Sequence, residues 1–183
     1  MSKKILVIST SMRSGSNSDL LADEWIRGAV DHGAEVEKVT LKEKQIAFCK
    51  GCLACLKTQK CVIKDDAAAI AGKVKNADTI VWATPVYYYS CSGQMKTLID
   101  RLNPLYSSDY RFRDVYLLAT AAEDEEETVN GTVAAVQGWV DCFEKCELKG
   151  VLFAGGVSDA NEIKAKKNYL TQAYELGRAC AQG

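Results

Sequence analysis

The sequence contains one histidine, His32, among 183 residues. His32 precedes Gly33, which is predicted to cap the end of a first helix. In a strand–helix unit, that end of the helix lies at the sheet edge opposite the ligand loops. A Ser-His-Asp or Cys-His hydrolase needs its histidine beside the nucleophile, so the sequence argues against both classes.

Net charge and long apolar runs are also scarce. The formal net charge is −1, so electrostatics give no reason to expect a nucleic acid or an anionic membrane as partner. No apolar run approaches the ~20 residues that span a bilayer. The apolar stretch 5–8 is too short for a signal peptide. We therefore expect a cytoplasmic protein with no nucleic-acid and no membrane partner.

Short apolar runs without alternation predict strands that are buried on both faces. They are Ile5–Ser9, Thr79–Ala83, Val115–Ala119 and Val151–Ala154. Residues 35–41 alternate apolar and charged side chains, as an edge strand does. The apolar period between these runs is that of helices. Five strand–helix units predict a single α/β domain over residues 1–183, with helices on both faces of a parallel sheet. Pro85 and Pro104 are predicted to lie in loops.

The loop after the first strand is crowded with small polar residues: Thr10-Ser11-Met12-Arg13-Ser14-Gly15-Ser16-Asn17-Ser18. A helix follows it, so backbone N–H groups and the positive end of the helix dipole favour an anion there. The loop matches neither the P-loop nor the G-x-G-x-x-G fingerprint. A helix N-cap alone needs one such residue, whereas this loop supplies six. We predict a phosphate site.

A second loop at the same edge carries three consecutive tyrosines. It reads Thr84-Pro85-Val86-Tyr87-Tyr88-Tyr89-Ser90. Aromatic side chains and backbone hydrogen bonds suit a flat apolar ring with polar edges. Packing of the tyrosines beneath the loop or in a subunit interface is the alternative. The loop after the fourth strand, Ala119-Thr120-Ala121-Ala122, has small residues that suit backbone contact with the same ligand.

Eight cysteines are many for this chain, and in a reducing compartment they are not expected to form structural disulfides. Four have short spacing, Cys49-x-x-Cys52-x-x-Cys55-x₅-Cys61. Such a set ligates a [4Fe–4S] cluster or one zinc ion, or consists of free or redox-active thiols, and spacing alone does not choose. The other four, which are predicted to be buried, are Cys91, Cys142, Cys146 and Cys180.

These motifs resemble those of a known family. The first loop is similar to the G-S-x-R-x-x-x-N-[ST] loop of NADPH-dependent FMN reductases and iron–sulfur flavoproteins, with Thr10 in place of the leading glycine. The matching positions are Ser11, Arg13, Asn17 and Ser18. The tyrosine loop resembles their flavin-ring loop, and the cysteine spacing resembles the compact motif of iron–sulfur flavoproteins. The resemblance implies a flavodoxin-like three-layer sandwich whose five parallel strands have the order 2-1-3-4-5.

The resemblance also implies a set of FMN-binding residues. The expected phosphate ligands are Ser11, Arg13, Ser16, Asn17 and Ser18. The residues expected around the ring and the ribityl chain are Thr84, Pro85, Val86, Tyr87, Tyr88, Ser90, Thr120 and Ala121. The expected ligands of an iron–sulfur cluster, if one is bound, are Cys49, Cys52, Cys55 and Cys61. No catalytic side chain is assigned, because the cofactor carries the chemistry of hydride transfer.

The function implied is electron transfer from NAD(P)H through FMN to a small acceptor such as a flavin or a quinone, in a homodimer or homotetramer. Three alternatives stay open. One is an iron–sulfur flavoprotein that carries electrons through the four-cysteine motif. Another is a flavodoxin-like electron carrier without nicotinamide turnover. The last is a metal or redox sensor in which the cysteine loop is the working part.

Overall fold

The computed structural model describes residues 2–183. The strands are β1 (Lys4–Ser9), β2 (Glu35–Thr40), β3 (Thr79–Tyr87), β4 (Ser90–Cys91), β5 (Asp114–Thr120) and β6 (Glu147–Ala154). The α-helices are α1 (Asn17–Val30), α2 (Ala54–Thr58), α3 (Asp66–Asn76), α4 (Gly93–Arg101), α5 (Asn130–Val140) and α6 (Lys167–Gln182). Short 3₁₀ helices span Asn103–Leu105, Glu126–Val129 and Glu162–Ala165.

Five strands form a parallel sheet in the order β2-β1-β3-β5-β6. The two-residue β4 pairs only with β3, in an antiparallel hairpin. The predicted order 2-1-3-4-5 and the flavodoxin-like α/β class are confirmed once β4 is left out of the count. The apolar strands β1, β3 and β5 are covered by helices on both faces, as their composition requires. The run Val151–Ala154 lies in the edge strand β6, where Val151 is 39% exposed, so its predicted burial on both faces is wrong.

Alternate side chains of β3 pack into two separate hydrophobic cores, one on each face of the sheet. Ile80 and Trp82 point to the face covered by α3, α4 and α5. Val81 and Ala83 point to the face covered by α1 and α6. Both cores end at the carboxyl edge of the sheet, so the loops at that edge are attached to a rigid base.

Both prolines differ from their predicted placement in loops. Pro85 lies within β3, which runs on to Tyr87. The neighbouring β1 ends at Ser9, opposite Ala83, so beyond that point β3 has an edge on this side. A residue without an N–H group is tolerated at such an edge. Pro104 lies in the 3₁₀ helix Asn103–Leu105.

Within residues 2–183 we find no helix with both the length and the apolar character needed to cross a bilayer.

Candidate functional site

Each of the five parallel strands is followed by a loop at the carboxyl edge of the sheet. Ser9 at the end of β1 lies opposite Ala83 of β3. Two residues further along β3, Pro85 lies opposite Thr120, and Thr120 lies opposite Ala154 at the end of β6. The strand register therefore brings the loops after β1, β3, β5 and β6 side by side, where ligands of open α/β sheets bind.

The loop after β1 gathers buried hydroxyl groups around the start of α1. Ser11, Ser16 and Ser18 are buried, and the Oγ atoms of Ser16 and Ser18 lie 3.0 Å apart. Ser16 is the N-cap residue, yet its side chain makes no capping hydrogen bond. The first N–H groups of a helix have no partner within the helix. This loop can therefore supply several N–H and O–H donors to an anion.

Arg13 and Asn17 brace this loop against the loop after β6. The exposed Arg13 donates from Nη1 to the Ser158 carbonyl oxygen at 2.6 Å. Asn17 donates from Nδ2 to the Asp159 carbonyl oxygen at 2.9 Å, and its Oδ1 accepts from the Ile163 N–H at 3.1 Å. The Asn17 side chain is thus engaged within the protein, and its backbone N–H, at the start of α1, is the group that it can still offer to a phosphate.

The loop after β6 is a part of the site that the sequence analysis missed. Its Asn161 N–H donates to the Gly15 carbonyl oxygen at 2.9 Å. Gly15 has a φ of +66°, and a Cβ atom there would lie 2.7 Å from Asn161 Nδ2. The available signal was the pair Gly155-Gly156 followed by short polar residues, directly after a strand of the same sheet.

Buried hydroxyl groups join the loop after β1 to the end of β3 and the start of α4. Thr10 Oγ1 donates to the Ala83 carbonyl oxygen at 3.1 Å and lies 3.0 Å from Ser92 Oγ, which donates to it. The Ser92 N–H donates to Thr84 Oγ1 at 3.2 Å. Thr10 stands where the related motif has glycine, and its hydroxyl group takes part in two of these hydrogen bonds.

The tyrosines form the tip of the β3–β4 hairpin. Val86 pairs with Cys91 and Tyr87 with Ser90, so Tyr88 and Tyr89 make a two-residue turn. Their φ values are +49° and +61°, in the left-handed region that costs energy for residues with a side chain. Tyr88 is fully exposed, and the other two tyrosines are more than half exposed. The rings do not pack beneath the loop, and they are available to a ligand or to another surface.

Contacts from α5 and from the loop after β5 hold the hairpin. A Cβ atom on Gly131 would lie 2.1 Å from the Tyr89 carbonyl oxygen, so this close approach requires glycine. A hydrogen bond with the Glu123 carboxylate raises the pKa of the Tyr89 phenol. Thr120 and Ala121 are buried, and the Ala121 carbonyl oxygen accepts from the Val157 N–H at 2.9 Å. The two predicted ring-binding segments, the tyrosine hairpin and the loop after β5, therefore meet.

All four cysteines of the short-spaced motif line one cavity of about 420 Å³. Cys55 is buried, Cys61 is partly buried, and Cys49 and Cys52 are exposed. Cys142 also lines the cavity and is exposed, so its predicted burial is wrong, because it lies in a turn beyond the end of α5. In the chain from residue 2 onward, no three cysteine, histidine or acidic side chains are close enough to hold one metal ion as they stand.

The chemistry of this cavity suits a thiolate-bound metal or cluster. Four cysteines line one space, and Asn103 Nδ2 donates to Cys55 Sγ at 3.1 Å. Hydrogen bonds to ligand sulfur are typical of iron–sulfur sites. Most of the remaining wall is apolar, with Ile99, Leu102, Trp139 and Phe143. The residues therefore fit the predicted donor set in kind and location.

His32 lies far from these groups in the fold. It follows the end of α1, and its Nδ1 lies 2.9 Å from the Gly28 carbonyl oxygen. The end of α1 is at the amino edge of the sheet, so the placement that argued against a histidine-dependent hydrolase is confirmed.

Comparisons with known proteins address the family and the fold. The family model of the NADPH-dependent FMN reductases matches residues 3–141. An iron–sulfur flavoprotein of Methanocaldococcus jannaschii is 39% identical over 102 residues, which cover 56% of this chain and 53% of the relative. One from Archaeoglobus fulgidus is 38% identical over 101 residues, covering 55% and 46%. The chain thus spans about half the length of these curated relatives.

Solved structures show the same fold at low sequence identity. An NAD(P)H:quinone oxidoreductase from Methanothermobacter marburgensis superposes with a TM-score of 0.72 at 16% identity, covering 98% of both chains. An FMN-dependent NADH-azoreductase from Bacillus anthracis, in complex with FMN, gives 0.72 at 15% identity, covering 98% of this chain and 100% of the other. The fold is shared across their full length, and the match over residues 3–141 shows that the chain belongs to the NADPH-dependent FMN reductase family.

Proposed function

We propose that the chain is an FMN-dependent oxidoreductase that takes electrons from NAD(P)H and passes them to a small acceptor such as a flavin or a quinone. One observation carries the proposal. The uncapped start of α1, with its buried serines, lies at the same sheet edge as a hairpin that exposes aromatic rings. A ligand with a phosphate at one end and a flat ring at the other suits these two features.

We assign roles to the chain's residues from their positions, as part of this proposal. The N–H groups at the start of α1 and the hydroxyl groups of Ser11, Ser16 and Ser18 bind the phosphate, and Arg13 adds a positive charge beside it. The tyrosine hairpin and the backbone at Thr120 and Ala121 orient the ring and exclude water from it. Bound FMN supplies hydride acceptance and electron delivery.

The four-cysteine cavity favours a second component of the same function. We propose that Cys49, Cys52, Cys55 and Cys61 would ligate a [4Fe–4S] cluster, which would supply one-electron transfer when bound. The support is that all four line one cavity, and that both curated relatives described above are named iron–sulfur flavoproteins. A zinc ion is the competing occupant with the same ligands.

The first experiment follows FMN binding and its reduction without air. FMN and riboflavin are titrated into the apoprotein, and NADPH or NADH is then added while the flavin absorption band is followed. We expect FMN to bind much more tightly than riboflavin, and either nicotinamide to bleach the band. Substitution R13M should weaken FMN binding and leave riboflavin binding unchanged. An FMN complex that neither nicotinamide reduces indicates an electron carrier, and no FMN uptake refutes the proposal.

Iron and sulfide analysis of anaerobically purified protein tests the cluster. We expect about four of each per chain, and loss of both in a C52A/C55A double variant. One zinc and no iron identifies the competing occupant. If the double variant still oxidises the nicotinamide, but another property of the wild type depends on bound metal, the cysteine loop acts as a sensor.

Assembly into a homodimer or homotetramer stays a prediction, as does the cytoplasmic location. Gel filtration at micromolar concentration tests the assembly, and a monomer there contradicts it.

A further inference from the structure

The two ends of the cysteine segment, defined as residues 47–63, are fastened to one buried side chain, Arg101. Its Nη1 donates to the Ala47 carbonyl oxygen at 2.7 Å. Its Nη2 donates to the Ile63 carbonyl oxygen at 3.3 Å. All four cysteines of the motif lie between these two contacts, so one guanidinium group closes the segment into a loop.

Asp65 completes this arrangement. Arg101 Nη1 lies 2.6 Å from Asp65 Oδ2, and Nη2 lies 2.8 Å from Oδ1, which is a bidentate ion pair. Asp65 Oδ2 also accepts from the Ala47 N–H at 2.9 Å. Burying such a pair is costly, and it is weak evidence for a gain in stability. Its geometry instead fixes the path of the segment.

Arg101 is also part of the cavity wall. Its Nε–H is buried and has no hydrogen-bond partner within residues 2–183. A spare N–H donor and a positive charge therefore belong to the wall of the cavity that the four cysteines line. Asn103, two residues later, donates to Cys55 Sγ.

We propose that Arg101 is the positioning residue of the cysteine cavity. It holds both ends of the segment so that the four cysteines line one cavity, within which the thiols have only a short way to close on a metal or cluster, and it offers a donor to the sulfur atoms there. The proposal rests on the proposed function only for the identity of the metal group that the thiols take.

The test compares R101M and R101K with a matched control, R111M. Arg111 also forms a bidentate pair with an aspartate, Asp78, but on the surface and away from the cavity. Reduced, metal-free proteins are treated with iodoacetamide, and modification of the buried Cys55 is followed by mass spectrometry. We expect at least about a tenfold faster reaction in R101M, because losing several charge-assisted bonds favours local opening. R111M should match the wild type.

Titration with Co²⁺ asks whether the thiols are positioned to bind a metal. Thiolate ligands give Co²⁺ an intense charge-transfer absorption. We expect at least about tenfold weaker binding in R101M. R101K keeps the charge but lacks the fork that reaches both carbonyl groups, so it should rescue binding only in part. Equal Co²⁺ binding by the wild type and R101M, or binding by neither, overturns the proposal.

An unchanged alkylation rate in R101M likewise overturns the proposal. If R101M fails to fold, the variant N103A tests the proposal instead, since it removes only the donor to Cys55. Faster alkylation and weaker Co²⁺ binding in N103A support the proposal that polar groups of the cavity wall position the thiols. Wild-type alkylation and Co²⁺ binding in N103A refute that proposal. FMN titration of the same proteins keeps the two proposals separate. R101M should bind FMN as the wild type does, and a wild type without FMN uptake refutes the proposed function while the thiol measurements still judge Arg101.

Discussion

The substitution G131A tests whether the tyrosine hairpin must keep its present position for FMN to bind. A Cβ atom on Gly131 would lie 2.1 Å from the Tyr89 carbonyl oxygen, where ordinary contact begins at 3.4 Å. Helix α5 and the hairpin must then separate by about 1.3 Å. Overpacking of this kind costs about 1–3 kcal/mol. Because Gly131 is the second residue of α5, the gain in helix propensity is below the ~1 kcal/mol of an interior position.

We therefore expect G131A to lower the free energy of unfolding by about 1–2 kcal/mol. Displacing the hairpin should also weaken FMN binding by at least about tenfold, which is ~1.4 kcal/mol. Urea unfolding followed by tryptophan fluorescence measures the first quantity. Quenching of FMN fluorescence on binding measures the second.

G138A is the matched control, because it makes the same substitution in the same helix. A Cβ atom on Gly138 meets nothing within 4 Å. This variant should gain about 0.5–1 kcal/mol of stability and bind FMN as the wild type does. If G131A behaves like G138A in both assays, the close approach does not position the hairpin and the reasoning is wrong.

Three further predictions concern the site. Y88N should raise the free energy of unfolding by about 1 kcal/mol, since asparagine tolerates positive φ. It should also weaken FMN binding, because it removes an aromatic ring. Urea unfolding measures the first effect and an FMN titration the second. N17A leaves the buried Ile163 N–H without its acceptor, so we expect a loss of about 1–3 kcal/mol in urea unfolding, and a loss below 0.5 kcal/mol contradicts this. The bond to Arg101 lowers the pKa of Asp65. Its stabilisation should be complete above the ordinary aspartate pKa of about 4 and vanish as the pH falls through the lower folded-state value. Urea unfolding of the wild type and D65N between about pH 2 and 6 should show a stability difference that shrinks toward acid, and a constant difference contradicts the linkage.

The strand content was predictable because burial on both faces requires unbroken apolar runs, and the alternating residues 35–41 marked the edge strand. The extent of β3 was not predictable from its own residues. Whether a strand can include Pro85 depends on where β1 ends, and that is decided by another segment of the chain. Sequence patterns report the local period, whereas strand ends depend on neighbours.

In the candidate site, too, features set by local sequence patterns were predictable, and features set by distant segments were not. The loops after β1, β3 and β5 were predicted to meet because parallel strands share a carboxyl edge, and they do meet. The role of the loop after β6 was missed because its contacts join residues more than 140 positions apart, such as Arg13 and Ser158. Arg101 was missed because an arginine at the end of an amphipathic helix ordinarily extends into solvent.

The support that the loop after β6 gives to the loop after β1 is made almost wholly of main-chain atoms. The side chains of Arg13 and Asn17 bond to carbonyl oxygens and an N–H group that follow β6. The Asn161 N–H, from the same loop, donates to the Gly15 carbonyl oxygen. A support of this kind constrains the course of the polypeptide and leaves most side chains along it free to diverge. The segment matched by the family model, residues 3–141, ends before the loop after β6, which makes these contacts. A fragment cut at the limit of the recognisable sequence would keep the predicted phosphate ligands and lose the scaffold that holds them in place.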